Sequence, residues 1–179
     1  PVVDACPAGE ENLPVRWAAL LGALGEANTR RVLKRLRCSN ACIEETAILV
    51  REAAGQGVCR SFSEEKASAH PGDIHLRQLL GRYRLCTVER LCALCAALHP
   101  QTAPVCALAA QRARQLEADG VCCRVSQLAV NGRDLMAAGI PAGPALRRVL
   151  EALLDGVIRA EYPNEKPALL AAAQKISAS

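Results

Sequence analysis

The chain has 179 residues, of which 51% are apolar, enough for a real core in one domain or two small ones. The apolar residues are mostly Ala and Leu, with one Trp, one Phe and two Tyr, a composition that favours helices and argues against a sheet. A formal net charge of +4 is too small to define a basic protein by its total, so any nucleic-acid surface has to be found by clustering. No run of about 20 apolar residues is present, the length that a helix needs to cross a bilayer.

Ten cysteines would suit a disulfide framework in a secreted protein. Cys92 and Cys95, however, fall in the apolar stretch 91–98, where a thiol packs as a small hydrophobe. No charged-then-apolar leader opens the sequence. The expectation is a protein of the reducing cytoplasm. The sequence starts at Pro1, and residues 1–11 carry no clear element, so it is expected to begin inside a longer protein.

Asn12 before Leu13-Pro14 places a capping side chain and an early Pro at a helix start, and Trp17, Leu20, Leu21 and Leu24 follow at helical spacing until Gly25. Asn28 is the expected cap of a second helix running to about Arg37. Ser39-Asn40 is the expected cap of a third, through Ile43, Ala47, Val50 and Ala54, stopped by Gly55. Residues 56–72 break the pattern and read as a loop at a subdomain joint. Asp73 then caps a predicted helix to Leu85, and Thr87 opens another over 88–98, closed by His99-Pro100. A helix over 104–118 ends at Asp119-Gly120, with Gln111, Arg112, Arg114 and Gln115 on its polar face. The last third predicts a short helix over 134–138, a turn over 139–144, a long helix to about Ala160, and Asn164 capping 165–175. The predicted fold is all-α, an array of about eight to ten short helices, divided into a body over 1–70, middle helices over 71–124 and a tail over 125–179.

The segment Leu128-x-x-Asn-Gly-Arg-Asp-Leu-Met-Ala-Ala-Gly-Ile-Pro-Ala-Gly-Pro144 resembles the tail of bacterial CCA-adding tRNA nucleotidyltransferases and related poly(A) polymerases. Leu146-x-x-Val-Leu-x-x-Leu-Leu-Asp155, Asn164-Glu165 and Leu169-Leu170 are similar in order and spacing to the closing helices of that family. Leu13-x-x-Arg-Trp-Ala-Ala-Leu-Leu21 and Leu33-x-x-Leu-Arg-Cys-Ser-Asn40 resemble its body region. The resemblance implies an RNA-binding body and tail that hold tRNA by acceptor stem and elbow. It also implies a catalytic head upstream in the same polypeptide, which adds nucleotides from CTP and ATP with Mg²⁺. The strand-Gly-Gly segment and Asp-x-Asp pair that the family uses for nucleotide and metal do not occur in these 179 residues. No catalytic residue, no metal ligand and no resident cofactor is therefore assigned here, and a CCA-adding and a polyadenylating parent are equally compatible with the tail motif.

Arg30, Arg31, Lys34, Arg35 and Arg37 fall within one short predicted helix, with Val32, Leu33 and Leu36 expected on the opposite side. Such a face neutralises phosphates and binds without regard to base sequence, or is simply a solvated helix face. Arg77, Arg82, Arg84 and Arg90 form a looser set around Tyr83, a side chain that suits the core or a base stack. In the 139–144 turn, Gly139 and Gly143 let backbone approach a phosphate, the following helix offers free N–H groups, and Arg133, Arg147 and Arg148 surround it. This resembles a helix-hairpin-helix grip on nucleic acid, although a plain connection between helices uses similar residues.

Other clusters point to less. Cys92-x-x-Cys95 and Cys38-x-x-x-Cys42 are each half a zinc site without the other half, and core thiols are the preferred reading. Vicinal Cys122-Cys123 would form a strained disulfide or hold a soft metal only outside a reducing cell. His70 and His75 beside Asp73 lack a further ligand. Two rival readings of the whole are kept. A degenerate HD-type phosphohydrolase would need His and Asp where Gly22 and Ala23 stand. A helical dimerisation module, forming a homodimer, would need an exposed apolar face.

Overall fold

The computed structural model describes residues 2–55 and 71–177, and among them the secondary structure is helical, with nine α-helices and no strand. The chain opens with short 3-10 turns at Val2–Ala5 and Glu10–Asn12, and Cys6 between them is buried. Helix α1 spans Leu13–Leu21, with Pro14 in its first turn. It tightens into a 3-10 turn at Gly22–Leu24 instead of running on to Leu24. Gly25, at φ +76°, is the pivot from that turn into α2, Gly25–Arg35. Asn28 therefore lies inside α2 and does not cap it; its side-chain amide donates to the Leu24 carbonyl at 3.1 Å. Helix α3, Asn40–Ala54, starts where the sequence places it, the Ser39 hydroxyl accepting from the Cys42 N–H at 3.3 Å.

The loop expected over 56–72 falls outside the described residues except for Pro71 and Gly72, which open α4, Pro71–Arg82. Asp73 is not a cap: it sits in the first turn, and both of its carboxylate oxygens take Arg112, at 2.8 and 2.5 Å. Helix α4 also stops three residues short of Leu85. Arg84 adopts extended backbone (φ −73°, ψ 156°), which separates α4 from α5, Leu85–Leu98. Thr87 consequently lies in the first turn of α5, and its hydroxyl donates to Glu45 on α3 at 3.2 Å. His99 and a 3-10 turn, Pro100–Thr102, reverse the chain into α6, Ala103–Ala118, which ends at Gly120 with φ +63°. The last third holds α7, Gly132–Ala137, α8, Pro144–Ile158, and α9, Lys166–Ser177.

Buried side chains gather in two clusters. The first draws on α1, α3, α4, α5 and α6, with Val15, Leu49, Leu76, Leu80, Leu94 and Ala113 fully enclosed. The second draws on Leu128, Val130, Leu135, Ile140, Val149, Leu153, Leu169 and Ala173. Cys122 belongs to the second cluster and its neighbour Cys123 to the first, so the peptide between them lies on the border. Cys92 and Cys95 are buried in the first cluster and form no disulfide, as the apolar run around them suggests. Helix α2 packs on α3 through Leu33 and Thr29; the buried Thr29 hydroxyl donates to the Leu21 carbonyl at 3.2 Å, so it is satisfied.

Candidate nucleic-acid interface

The basic helix divides into bound and free cations. Thr29 and Leu33 turn one side of α2 towards α3, and with about 100° per residue Arg31, Lys34 and Arg35 fall on the opposite, exposed side. Arg30 lies between these faces, and its guanidinium is taken by Glu26 at 3.1 Å and by Glu44 on α3. That guanidinium holds the Glu44 carboxyl below its usual range, with a smaller contribution from the Lys34 field. Arg31, Lys34, Arg35 and Arg37 are all exposed and make no salt bridge among the described residues. Leu36, expected on the apolar side, is 55% exposed because α2 has already ended.

Arg37 is not helical. It stands at φ +57°, one residue beyond the last helical cap, where its N–H donates to the Lys34 carbonyl and the Cys38 N–H reaches back to the Leu33 carbonyl. This is the paired closure that usually places Gly in the left-handed position. An Arg there carries a backbone cost of about 1–2 kcal/mol relative to right-handed geometry. The cation is thereby projected from the end of the helix, beside the α2 face.

The second set, Arg77, Arg82, Arg84 and Arg90, does not form one surface. Arg90 is tied to Glu45 at 2.5 Å, and Arg77 points inward to backbone carbonyls, while Arg82 and Arg84 are exposed. Tyr83 packs against the first cluster; its hydroxyl donates to Glu52 at 2.7 Å and accepts from Arg51 at 2.9 Å, which suits an anchor better than a base stack. Burial, followed by the bond to Glu52, pushes the Tyr83 phenol up. On α6, Arg112 faces Asp73 and Arg114 faces Glu89.

The tail hairpin is built from local signals. Asn131 caps α7 by accepting from the Arg133 and Asp134 N–H groups at 2.9 and 3.2 Å, and Asp134 accepts the Asn131 N–H in return at 3.0 Å. Lys166 reaches Asp134 at 2.6 Å and, together with the Asn131 N–H, holds its carboxyl below the usual range. Gly139 at φ +92° ends α7 and Gly143 at φ +110° precedes α8; open space surrounds both, so it is the backbone conformation that calls for glycine there. Pro144 starts α8 without a side-chain cap, so its first-turn N–H groups lie at an exposed end. Arg133 and Arg148 are exposed without a salt bridge among the described residues, and Arg147 is paired with Glu151 at 2.8 Å on the α8 surface.

Sequence reading missed three side chains here. The Asn131-x-x-Asp134 pattern was present and unused. Asn164 does not cap α9: it ties that region to the start of the tail, accepting from the Ala129 N–H and donating to the Gln127 carbonyl, both at 2.9 Å. Arg77, flanked by the buried Leu76 and Leu79-Leu80, points inward and is not part of the basic surface that the spacing of Arg77, Arg82, Arg84 and Arg90 predicts.

Three further features bear on the rival readings. Among the described residues, no group of three or more His, Cys, Asp or Glu is placed to hold a metal ion; His70 lies outside them. Cys122 and Cys123 are free buried thiols, raised by burial. The exposed leucines nearest α2 are Leu20 and Leu24 at one end and Leu36 at the other, about 16 Å apart along an eleven-residue helix, so they do not form one apolar face. No helix among the described residues is long and apolar enough to cross a membrane.

Among the described residues the chain is all-helical, with exposed, unpaired cations on one helix and around one glycine hairpin. The family model for tRNA nucleotidyltransferase domain 2 matches residues 81–173, more than half of the chain, and the chain belongs to that family. It is also similar to a CCA-adding enzyme from Levilactobacillus brevis, 56% identical over 45 residues, a stretch covering 25% of this chain and 11% of that protein. No solved structure matches.

Proposed function

We propose that this chain grips tRNA through two basic surfaces, so that a catalytic head of the same polypeptide can add nucleotides to the RNA 3′ end. The first surface is the α2 face with Arg31, Lys34, Arg35 and Arg37, flanked by the partly neutralised Arg30. The second is the α7–α8 hairpin with Arg133, Gly139, Gly143, Arg147 and Arg148. The single observation that carries the reading is the unpaired state of the four α2-face cations, on a chain whose other arginines are largely engaged by carboxylates or carbonyls. Unpaired surface cations cost little to bring to a phosphate and release counterions when they reach it. They contact backbone and shape, as a protein serving many tRNAs requires at acceptor stem and elbow. The name of the bacterial relative, CCA-adding enzyme, supports addition of C, C and A by the head; CTP, ATP and Mg²⁺ as what the head uses, and a cytoplasmic place, rest on the resemblance of the sequence alone, and polyadenylation is the alternative for the same tail.

The test is binding to unmodified tRNA across a salt series, beside a variant with Arg31, Lys34, Arg35 and Arg37 changed to Glu. The expected result is affinity that falls steeply with salt, with a logarithmic slope of about −0.7 to −0.9 per phosphate contact, and collapses in the variant. No binding at low salt, or equal binding by the variant, rejects the reading.

A further inference from the structure

The two buried clusters meet at a seam crossed by a line of polar contacts. Arg77, in the middle of α4, sends one guanidinium nitrogen to the Ile158 carbonyl at 3.0 Å and the other to the Cys122 and Val157 carbonyls at 3.1 and 3.3 Å. Val157 and Ile158 end α8, where the helix dipole is negative; the Val157 carbonyl also accepts the Ala160 N–H at 3.1 Å. A planar cation with fixed donors suits that end, and it joins three carbonyls from two segments 45 to 81 residues away in sequence. The next residue, Gln78, donates to Asp155 at 3.3 Å. One turn further along α4, Gly81 lets the backbone come so close that an added Cβ would stand 2.4 Å from the Cys123 carbonyl oxygen. Open grooves of about 720 and 490 Å³ flank this line of contacts, the first lined by Gln78, Gly81 and Leu154, the second by Arg77, Val121 and Tyr162.

We propose that Arg77 is a positioning residue that holds the α7–α8 hairpin at a set distance and angle from the α2 face, so that both surfaces engage one RNA together. The proposal rests on the RNA-gripping reading above for its purpose, while the mechanical part stands on the seam alone. Simultaneous engagement makes the second contact intramolecular, and its gain depends on how well the two surfaces are held at the span the RNA presents. Lysine would offer a point charge without the planar fork and would hold the three carbonyls less well.

Two measurements test it on the full chain. Spin labels attached through non-cysteine chemistry at exposed Ala27 and Gln174 report the distance between α2 and α9. One narrow distribution is expected in the parent chain, a broadened one in Arg77→Met, and an intermediate one in Arg77→Lys, with helical circular dichroism retained. An unchanged width in Arg77→Met overturns the proposal whether or not RNA binds. The second measurement is tRNA affinity in two backgrounds. Arg77→Met should weaken binding about tenfold when both surfaces are intact, through a lower effective concentration. It should have less than about a twofold effect when Arg31, Lys34 and Arg35 are already Ala, a neutral background in which the hairpin surface alone still binds at low salt, because single-surface binding does not depend on the seam. Equal losses in both backgrounds point to general destabilisation and overturn the proposal. Absence of tRNA binding by the intact chain would defeat the RNA-gripping reading and with it the joint-engagement claim, leaving the label distances to decide whether Arg77 holds the seam.

Discussion

The body and the tail are held by different kinds of information. In the first cluster the polar ties join residues far apart in sequence: Arg90 to Glu45, Arg112 to Asp73, and Tyr83 to Glu52, at separations of 45, 39 and 31 residues. In the tail the hairpin turn is set mainly by neighbours, from the Asn131–Asp134 reciprocal cap through Gly139 to Gly143-Pro144, with Lys166 to Asp134 and Asn164 to the 127–129 backbone as longer ties. Among the described residues the body gives many of its arginines internal partners and gathers its densest group of unpaired cations at α2, whereas the tail shapes an exposed backbone turn and rings it with arginines. In the proposed grip most of the cations lack an internal partner, a state that only the folded chain displays.

Substitutions at four positions would break or sharpen that contrast. The largest effect is expected from Leu153→Ala, which empties a fully buried site in the tail cluster and should cost about 2–5 kcal/mol. Hydrogen exchange should show the loss over residues 128–173 while amides of α5 stay protected; equal loss in α5 would mean that the clusters are one cooperative unit. Asn131→Ala removes the side-chain half of the α7 cap, leaving the residue-131 N–H on Asp134, and should cost about 0.5–2 kcal/mol in thermal or urea unfolding, a direct measure of how much the tail depends on a local signal.

Arg37→Gly should stabilise the chain by about 0.5–1 kcal/mol, the relief of left-handed strain less the added freedom of the unfolded chain. The same change removes a cation, so tRNA affinity should weaken and its salt slope fall by about one; stabilisation without any change in binding would remove Arg37 from the interface. The smallest effect concerns His75, whose imidazole is lowered chiefly by burial and secondly by Arg82. The unfolded chain then binds the proton more readily, so this contribution is complete above the ordinary value of about 6.5 and is lost as pH falls through the lower folded value. Replacing His75 with Gln should flatten the stability profile between pH 7 and 5, measured by urea midpoints.

The helices were legible because their signals are local. Ser39, Gly55, Asp119-Gly120 and Gly139 mark ends that the structure keeps, and the apolar spacing of Ile43, Ala47 and Val50 gives the buried side of α3. Errors arose where a residue had a better partner than the local backbone. Asp73, Thr87 and Asn164 all look like caps, but Arg112, Glu45 and the 127–129 backbone respectively take their side chains. The candidate interface was legible as a cluster of charges but only in part in its division. Glu26, four residues before Arg30, is a local mark that Arg31 lacks, with Ala27 in the same place, but the second partner, Glu44 on the next helix, is not legible locally. Arg77 lay within reach of sequence reasoning, since an arginine set among Leu76, Leu79 and Leu80 must place its charge on something buried.

The most direct single measurement is amide hydrogen exchange of the full chain with and without saturating tRNA at low salt. Two basic surfaces gripping one RNA predict new protection at the C-terminal turn of α2 and across residues 139–148, lost together as salt rises. Protection confined to one of these, or appearing instead on α6 with neither surface affected, would contradict a two-surface grip.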